Sequence, residues 1–172
     1  MSESDVLKQF YRFNRDVRLN YLKTLASLPP EELMRDRGAS YPTLLDIFVH
    51  VVGAYNYWFV RRLHVIGDVA AEADIPMEIE SLEDATRFEE VIGSSVLTYI
   101  DGLTESDLNR TMDVSKGQFM RLGDVCWHLV EEELQHRGEM NALLWQMNID
   151  PPVEGYENWV LAKGSTDAKP AG

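Results

Sequence analysis

Three of the four histidines in this chain fall into a pattern that could bind a metal ion. His128, Glu132 and His136 follow one another at intervals of four residues, so on a helix they share one face. Side chains four residues apart can hold one ion, whereas eight residues correspond to about 12 Å of helix rise, too far for a shared ion. The spacing therefore predicts a metal pair that contains Glu132 together with either His128 or His136.

His50, in the middle of a different apolar segment, could supply a third ligand. An imidazole in such surroundings needs a partner for its ring nitrogens, because their desolvation costs free energy. Alone, it would more often be a hydrogen-bonded core histidine than a metal ligand. Opposite Glu132, it completes a set of two histidines and one carboxylate that leaves coordination positions open. Three protein ligands favour a reactive ion over a closed structural zinc site, which takes four.

An open divalent ion can polarise a carbonyl group, or lower the pKa of a bound water or thiol until it is a nucleophile at neutral pH. This is the chemistry that the residues favour. The sequence contains no GxxxxGK[ST], GxGxxG, GxSxG or CxxC motif. Cys126 is the single cysteine, which excludes a thiolate zinc cluster and an internal disulfide. Because no basic neighbour in sequence lowers its pKa, we expect Cys126 to be a small buried residue.

Glu133 and His136 also match the Glu-x-x-His motif of ferritin-like di-iron bundles. Such sites need a second copy of the motif and further helix carboxylates. His50 has Ile47 three residues before it, and the predicted third helix has no histidine. The sequence therefore argues against a di-metal centre, and we expect Glu131 and Glu133 to be flanking or solvated residues.

Four segments with apolar residues at helical spacing must position these side chains. A capping box is expected at Thr43 and Asp46, where the second helix begins. The segments predict an all-α, four-helix bundle with a long, acidic, exposed connection between helices 2 and 3, and a short extended pair before helix 4. The expected helices are residues 5–28, about 43–64, about 82–102 and about 122–147, the connection begins at residue 68, and the extended pair lies within residues 108–120.

Composition sets the class of protein and its surroundings. The length of 172 residues suits a single domain, which we assign to residues 1–162, followed by a disordered tail at residues 163–172. With 16 basic and 29 acidic side chains, the net charge of −13 disfavours nucleic acid as a partner. The sequence has no apolar run long enough to span a bilayer and no signal-peptide pattern. We therefore expect a cytoplasmic protein without a membrane partner.

Two further sets of side chains each allow two interpretations. Arg12, Arg15 and Arg18 lie along one side of the first helix, where a solvated stripe is favoured and a contact for an anionic ligand is the alternative. Four aromatic residues lie within two helical turns of the candidate ligands. Core packing is favoured for them, with the wall of a pocket as the alternative. The aromatic residues are Tyr55, Tyr57, Trp58 and Trp127.

The motif residues together resemble the DinB/YfiT-like superfamily of metalloenzymes. The resemblance rests on His50 in the second helix, the segment from Glu132 to Glu139 (EELQHRGE), and Pro151-Pro152 after the fourth helix, and it spans residues 5–159. It implies one divalent metal ion, zinc or nickel first and iron or manganese as alternatives, bound by His50, Glu132 and His136. At Glu132 the family has a histidine, although its mycothiol-dependent maleylpyruvate isomerase branch uses a His, Glu, His set.

The resemblance also implies roles for the remaining residues and for the whole protein. His128 would lie one turn outside the site, as a supporting residue or an alternative ligand, and His64 would be exposed. The activity implied is that of a thiol-dependent transferase or isomerase, or a hydrolase, acting on a small-molecule substrate with a low-molecular-weight thiol cosubstrate. The protein would be a homodimer. The alternative is a non-enzymatic, stress-related or ligand-binding helical bundle in which the histidines are satisfied core groups.

Overall fold

The computed structural model describes residues 1–152 and 155–164, and four long helices dominate it. The prediction of an all-α, four-helix bundle is confirmed. The long helices are α1, α3, α5 and α7, and a π-helical stretch, here called the π segment, continues α3. In chain order the elements are α1 (Glu3–Ala26), α2 (Pro30–Leu33), α3 (Leu44–Tyr55), the π segment (Asn56–Arg62), α4 (Val69–Glu72), α5 (Leu82–Gly102), α6 (Glu105–Leu108), β1 (Thr111–Ser115), β2 (Gln118–Arg121), α7 (Leu122–Gln146) and α8 (Tyr156–Gly164).

Side-chain caps fix where the helices begin. At α3, the Thr43 hydroxyl accepts a hydrogen bond from the Asp46 N–H at 3.0 Å, and the Asp46 carboxylate accepts one from the Thr43 N–H at 3.1 Å. This is the predicted capping box, which satisfies two backbone donors that have no partner within the helix. Ser81 caps α5 in a similar way through the Asp84 N–H at 3.1 Å.

The core lies between α1, α3, α5 and α7, each of which buries one apolar stripe. Tyr21 on α1, Phe48 on α3 and Ile92 on α5 are among the largest side chains that are almost completely buried. Leu129 on α7 is buried with them. The burial follows the three- and four-residue spacing of the sequence, because this spacing keeps apolar side chains on one face of a helix.

The π segment changes the pitch of the helix that begins at Leu44. The N–H of Leu63 donates to the carbonyl oxygen of Trp58 at 2.9 Å, which is the five-residue spacing of a π-helix. The sequence predicted one uniform helix through residue 64. The structure instead ends the α-helical bonding at Tyr55, and it buries Asn56, Phe59 and Val60 within the π segment.

The acidic connection between α3 and α5 is more ordered and more closely packed than the sequence predicted. It contains α4, whose Ala70 is buried, and Ile75 and Ile79 are partly buried against the core. Arg87 on α5 donates a hydrogen bond to the carbonyl oxygen of Ala73 at 2.5 Å. The expectation of a fully exposed connection is therefore wrong, because its few apolar residues pack inward while its acidic residues face solvent.

The predicted extended pair is a β-hairpin. Strands β1 and β2 are antiparallel, with Thr111 opposite Arg121 and Met112 opposite Met120. Lys116 and Gly117 form the two-residue turn with φ values of 40° and 88°, the left-handed conformations that such tight hairpins use. The hairpin leads directly into α7 and so fixes the start of the helix that carries most of the candidate ligands.

A short C-terminal helix, α8, packs on the outside of α1. The ring of Tyr156 stacks on Phe10 with centroids 4.6 Å apart, and Trp159 meets the ring of Phe13 edge to face at 5.7 Å. The indole N–H of Trp159 donates to the Asp16 carboxylate at 2.8 Å. No pattern in the sequence predicted this helix. The tail predicted to be disordered begins within α8 at residue 163, and its residues 165–172 lie outside the described residues.

Candidate metal centre

His50 of α3 meets Glu132 and His136 of α7 where the two helices pack together. The Nε2 atom of His50 lies 2.9 Å from Oε1 of Glu132, and Nε2 of His136 lies 3.3 Å from the same oxygen. The two imidazole rings are 4.6 Å apart, centroid to centroid. His136 is buried, whereas His50 and Glu132 are partly exposed, so the cluster is reachable from one side.

The three donor atoms fit a single divalent ion. Donors bound at about 2.1 Å in a tetrahedral arrangement lie about 3.4 Å from one another, close to the separations seen around Glu132. Two imidazole nitrogens and one carboxylate oxygen are ligands that zinc, nickel, iron and manganese accept, and three protein ligands leave room for another molecule. Of the two pairs that the spacing on α7 allowed, the structure brings Glu132 and His136 to His50.

Glu139 and Ser40 hold the ring of His136 in place. Nδ1 of His136 is 3.1 Å from Oε2 of Glu139. The Glu139 carboxylate also accepts hydrogen bonds from the N–H and the hydroxyl of Ser40, each at 2.6 Å. An Nδ1–H that donates to Glu139 leaves the Nε2 lone pair of His136 directed at the cluster, which is the tautomer that a metal ligand needs.

The electrostatics keep both glutamates ionised. Burial alone would raise the pKa of Glu139, but the hydrogen bonds from Ser40 and His136 outweigh it and hold that pKa below its ordinary value. Burial likewise opposes ionisation of Glu132. The hydrogen bond from His50 and the charge of His136 outweigh burial, so the pKa of Glu132 also lies below its ordinary value. The two ionised carboxylates favour a cation at the cluster.

Tyr41 covers the outer face of the cluster. Its ring stacks on His50 with centroids 4.0 Å apart, and its hydroxyl oxygen lies 3.2 Å from Nε2 of His50. Burial, together with the charges of Glu132 and Glu139, raises the pKa of Tyr41, so the hydroxyl keeps its proton at neutral pH. The sequence patterns assigned no role to Tyr41, Glu139 or Ser40. The position of Glu139, three residues after His136, was the available signal for a contact.

His128 lies one turn away from the cluster, as the family resemblance implied. Its Nδ1 is 4.0 Å from a carboxylate oxygen of Glu131, and with Glu131 and Glu132 it forms a second, more exposed group that could hold a cation. The ring of Trp58 meets it edge to face at 5.6 Å. His64, at the end of the π segment, is exposed and has a φ of 51°.

A cavity of about 670 Å³ opens onto the cluster. Its wall includes His50, Glu132 and His128, and Tyr57 and Trp58 contribute aromatic surface. Both residues therefore fit the pocket interpretation, and Trp58 also packs against the core as predicted. Core packing is correct for Tyr55, which is buried. The remaining lining residues are Tyr41, Pro42, Asp46, Val49, Gly53 and Ala54.

A buried ion cluster joins α1, α5 and α7 through Arg18, Glu89 and Glu133. Arg18 donates to Glu89 at 2.9 Å and to Glu133 at 2.5 Å, and the Tyr55 hydroxyl also donates to Glu133 at 2.5 Å. The expectation that Glu133 is flanking or solvated is wrong, and so is a solvated stripe for Arg18. Both side chains are almost completely buried because α1, α5 and α7 each contribute a charged partner. Burial raises the pKa of Glu89, although the charge of Arg18 opposes the shift.

The other two arginines of the predicted stripe also have protein partners. Arg12 donates to Asp101 at 2.8 Å at the surface, and Arg15 donates to the Ser94 hydroxyl at 2.6 Å. Arg12 therefore fits the solvated interpretation. Neither arginine lines the cavity beside the metal cluster, and Arg18 does not line it either. Their alternative role as contacts for an anionic ligand stays a prediction, and this cavity gives it no support.

Cys126 is buried, as predicted. Burial raises the pKa of its thiol to about 12. The hydroxyl of Tyr11 donates to the carbonyl oxygen of Cys126 at 3.0 Å, which ties α1 to α7. A thiol with so high a pKa carries almost no thiolate at neutral pH, so Cys126 has a packing role.

The fold and the site define a class: helical bundles that direct two histidines and a carboxylate from two helices at one point. The sequence profile described as the DinB family matches residues 1–158, and the chain belongs to this family. A crystal structure of a DinB-like protein from Bacillus cereus is similar, with a TM-score of 0.62 at 17% identity, over 87% of this chain and 95% of that one. No curated protein matches the chain. None of the helices described is both long and apolar enough to cross a membrane.

Proposed function

We propose that this protein is a divalent-metal-dependent enzyme that acts on a small molecule. The observation that carries the proposal is the convergence of Nε2 of His50, Oε1 of Glu132 and Nε2 of His136 within 4.8 Å of one another, at the wall of a 670 Å³ cavity. Ligand sites in proteins usually occupy about 300–1,000 Å³, so the cavity has room for a substrate beside the ion.

The residues of the chain have distinct tasks in this proposal. His50, Glu132 and His136 hold the ion, and Glu139 fixes the tautomer of His136 through its Nδ1–H. The ion, when bound, supplies a positive charge that activates a water or thiol and stabilises negative charge on a carbonyl oxygen. The Tyr41 hydroxyl, protonated and on the open side of the cluster, donates a hydrogen bond to an oxygen atom of the substrate.

His128 is suited to move a proton within the same cavity. Its side chain is partly exposed, lines the cavity and has Nδ1 4.0 Å from a carboxylate oxygen of Glu131. Imidazole side chains commonly accept a proton from a thiol or water and return it to a leaving group. The finer proposal is thus a thiol-dependent transferase or isomerase, or a hydrolase, and the His, Glu, His set supports the thiol-dependent branch.

The proposal is tested first by elemental analysis of protein purified without an affinity tag and without chelator. About one zinc, nickel, iron or manganese ion per chain is expected, and the His136→Ala and His50→Ala variants should lose it. His64→Asn is the matched control, because His64 is exposed and asparagine tolerates its positive φ. Equal loss of metal in all three variants would show that the assignment of ligands is wrong.

The same measurement decides the role of His128. His128→Ala should keep the ion and lose turnover, which would separate proton transfer from metal binding. Loss of the ion in His128→Ala but not in His136→Ala would move the site one turn along α7 and overturn the assignment. Absence of any bound metal, even after incubation with each ion, would favour a non-catalytic ligand-binding bundle.

Activity is then sought with metal-loaded protein and small electrophiles, each assayed with and without a low-molecular-weight thiol. Thiol consumption that requires the metal, and that fails in His50→Ala, is expected for a transferase. Turnover without thiol, with the same dependence on His50, would identify a hydrolase and reject the thiol-dependent branch.

A further inference from the structure

A second cavity of about 410 Å³ adjoins the one at the metal centre. It lies between α3, the π segment and the connection that contains α4. Val49, Gly53 and Tyr57 line both cavities, so the two compartments share one wall. An added Cβ at Gly53 would meet no atom within 4 Å, so there is free space beside this residue of the shared wall. A long ligand could therefore extend from the ion into the second compartment.

Asn56 contributes to the second compartment a side-chain amide oxygen that has no hydrogen-bond partner in the protein. The residue is only 6% exposed, and its Oδ1 atom is buried without a hydrogen bond. Buried amide oxygens are almost always paired, because an unpaired one has lost its water without compensation. Asn56 lines the cavity at the first residue of the π segment, so a ligand N–H or O–H in the compartment can supply the missing donor.

Arg61 supplies a positive charge at the same compartment. Its side chain is exposed, and within residues 1–152 and 155–164 no carboxylate lies close enough to form an ion pair with it. Guanidinium groups bind carboxylates and phosphates through paired hydrogen bonds, so Arg61 favours an anionic group on the ligand.

The other residues that line the second compartment favour a carboxylate over a phosphate. Asp68 lines the compartment too, and its carboxylate would repel a doubly charged phosphate more strongly than a singly charged carboxylate. Most of the other wall is apolar, with Ile75, Met77 and Phe88 among its residues. A short hydrocarbon chain that ends in a carboxylate matches both the apolar wall and the single unpaired cation.

We propose that the second compartment binds the apolar, carboxylate-bearing part of the substrate, with Arg61 on the carboxylate and Asn56 on an adjoining N–H or O–H group. The proposal rests on the proposed function for the reacting end of the substrate, which lies at the metal centre. Binding in the second compartment itself requires no ion, so the two proposals can fail separately.

The first test compares four probes of equal chain length: hexanoate, 1-hexanol, hexylamine and hexyl phosphate. Binding is measured by NMR titration of the full-length protein, with and without metal, following the side-chain amide signal of Asn56. Hexanoate is expected to bind about fivefold more tightly than 1-hexanol and to shift that signal, as one exposed ion pair allows. Arg61→Gln should abolish this preference, while Arg12→Gln, a surface arginine outside both cavities, should leave it unchanged.

The second test closes the shared wall. Gly53→Leu should place its side chain in the opening and weaken hexanoate binding at least tenfold. Gly102→Leu, at an exposed glycine that also has no neighbour within 4 Å, should have no effect. Circular dichroism of both variants checks that they fold, so that loss of structure is not mistaken for loss of binding.

Several results would overturn the assignment. Equal affinity for hexanoate and 1-hexanol, tighter binding of hexyl phosphate or hexylamine, or an unchanged affinity in Gly53→Leu each contradicts it. Metal content is measured in the same samples. Protein that binds hexanoate through Arg61 but holds no ion would support the proposed role of the second compartment and reject the proposed function. Protein that holds metal but binds none of the probes would support the proposed function and reject the role of the second compartment.

Discussion

Replacement of Gly93 by alanine tests the buried ion cluster most directly. An added Cβ at Gly93 would lie 2.2 Å from Oε1 of Glu89 and 2.7 Å from its Cδ, because the carboxylate fills the space that the glycine leaves. Glu89 is completely buried, and Arg18 donates to it at 2.9 and 3.4 Å. The carboxylate therefore has to leave Arg18, or α5 has to shift, before an alanine can fit.

Two effects of opposite sign set the size of the change. Alanine inside a helix stabilises it by about 1 kcal/mol relative to glycine. Breaking a buried ion pair costs about 3–5 kcal/mol, because both charges lose their partner away from water. The second effect is larger, so we expect Gly93→Ala to lower the free energy of unfolding by about 2–4 kcal/mol.

The measurement is urea-induced unfolding at pH 7, followed by circular dichroism. Gly138→Ala is the control, because Gly138 is an exposed residue of α7 with no atom within 4 Å of an added Cβ. It should raise stability by up to about 1 kcal/mol. On a Glu89→Ala background, the cost of Gly93→Ala should disappear. An increase in stability for Gly93→Ala similar to that of Gly138→Ala would refute the reasoning.

Three further predictions follow from the same structure. Arg18→Met should destabilise the fold by about 3–5 kcal/mol at pH 7 by leaving two carboxylates buried and unpaired, and the loss should shrink at acid pH as they bind protons; a loss that does not change with pH in urea unfolding would contradict this. Glu139→Gln should weaken metal binding about 10–100-fold, because the amide stabilises the wrong tautomer of His136, and an unchanged affinity in a competition titration would reject this role. Hydrogen bonds from Thr104 lower the pKa of Asp107 below 3.8, so this carboxylate stabilises the fold fully above that pH and loses its effect as the pH falls through the lowered pKa. The stability difference between wild type and Asp107→Asn should therefore be constant near neutral pH and vanish in strong acid, and a difference that persists there would be evidence against the pairing.

Much of the fold was predictable because apolar spacing and caps are local signals. The four long helices follow from stripes of period 3.6, and the Thr43 cap follows from residue types three apart. The candidate cluster could also be predicted, since a four-residue interval on α7 fixes Glu132 beside a histidine. Choosing between His136 and His128 needed the packing of α3 on α7, which the family resemblance supplied and spacing alone did not.

The errors concern charged side chains whose partners lie on other helices. Arg18 and Glu133 were expected to be solvated, because most helical charges are. Arg18 does stand seven residues after Tyr11 and seven before Leu25, both buried, so its position on the core stripe was visible. Its partner on α5, Glu89, could not be predicted, because no local sequence pattern connects Arg18 with a residue 71 positions away.

Two structural elements had no local signal at all. The π segment continues the apolar pattern of α3 without a break, so its change of pitch cannot be recognised from residue types. Helix α8 follows a pair of prolines and is too short to be stable alone. Its aromatic residues stabilise it through Phe10 and Phe13, which lie on α1 at the other end of the chain.

The π segment also suggests how such a protein could gain a new binding surface in evolution. Each π-helical hydrogen bond encloses one residue more than an α-helical bond, and one residue corresponds to about 100° of rotation around an α-helix. A single inserted codon after Tyr55 would therefore turn the later side chains of the π segment, including Arg61, toward a different side. His50 precedes the insertion and would keep its place, so the ligand compartment could be reshaped while the metal ligands stayed where they were.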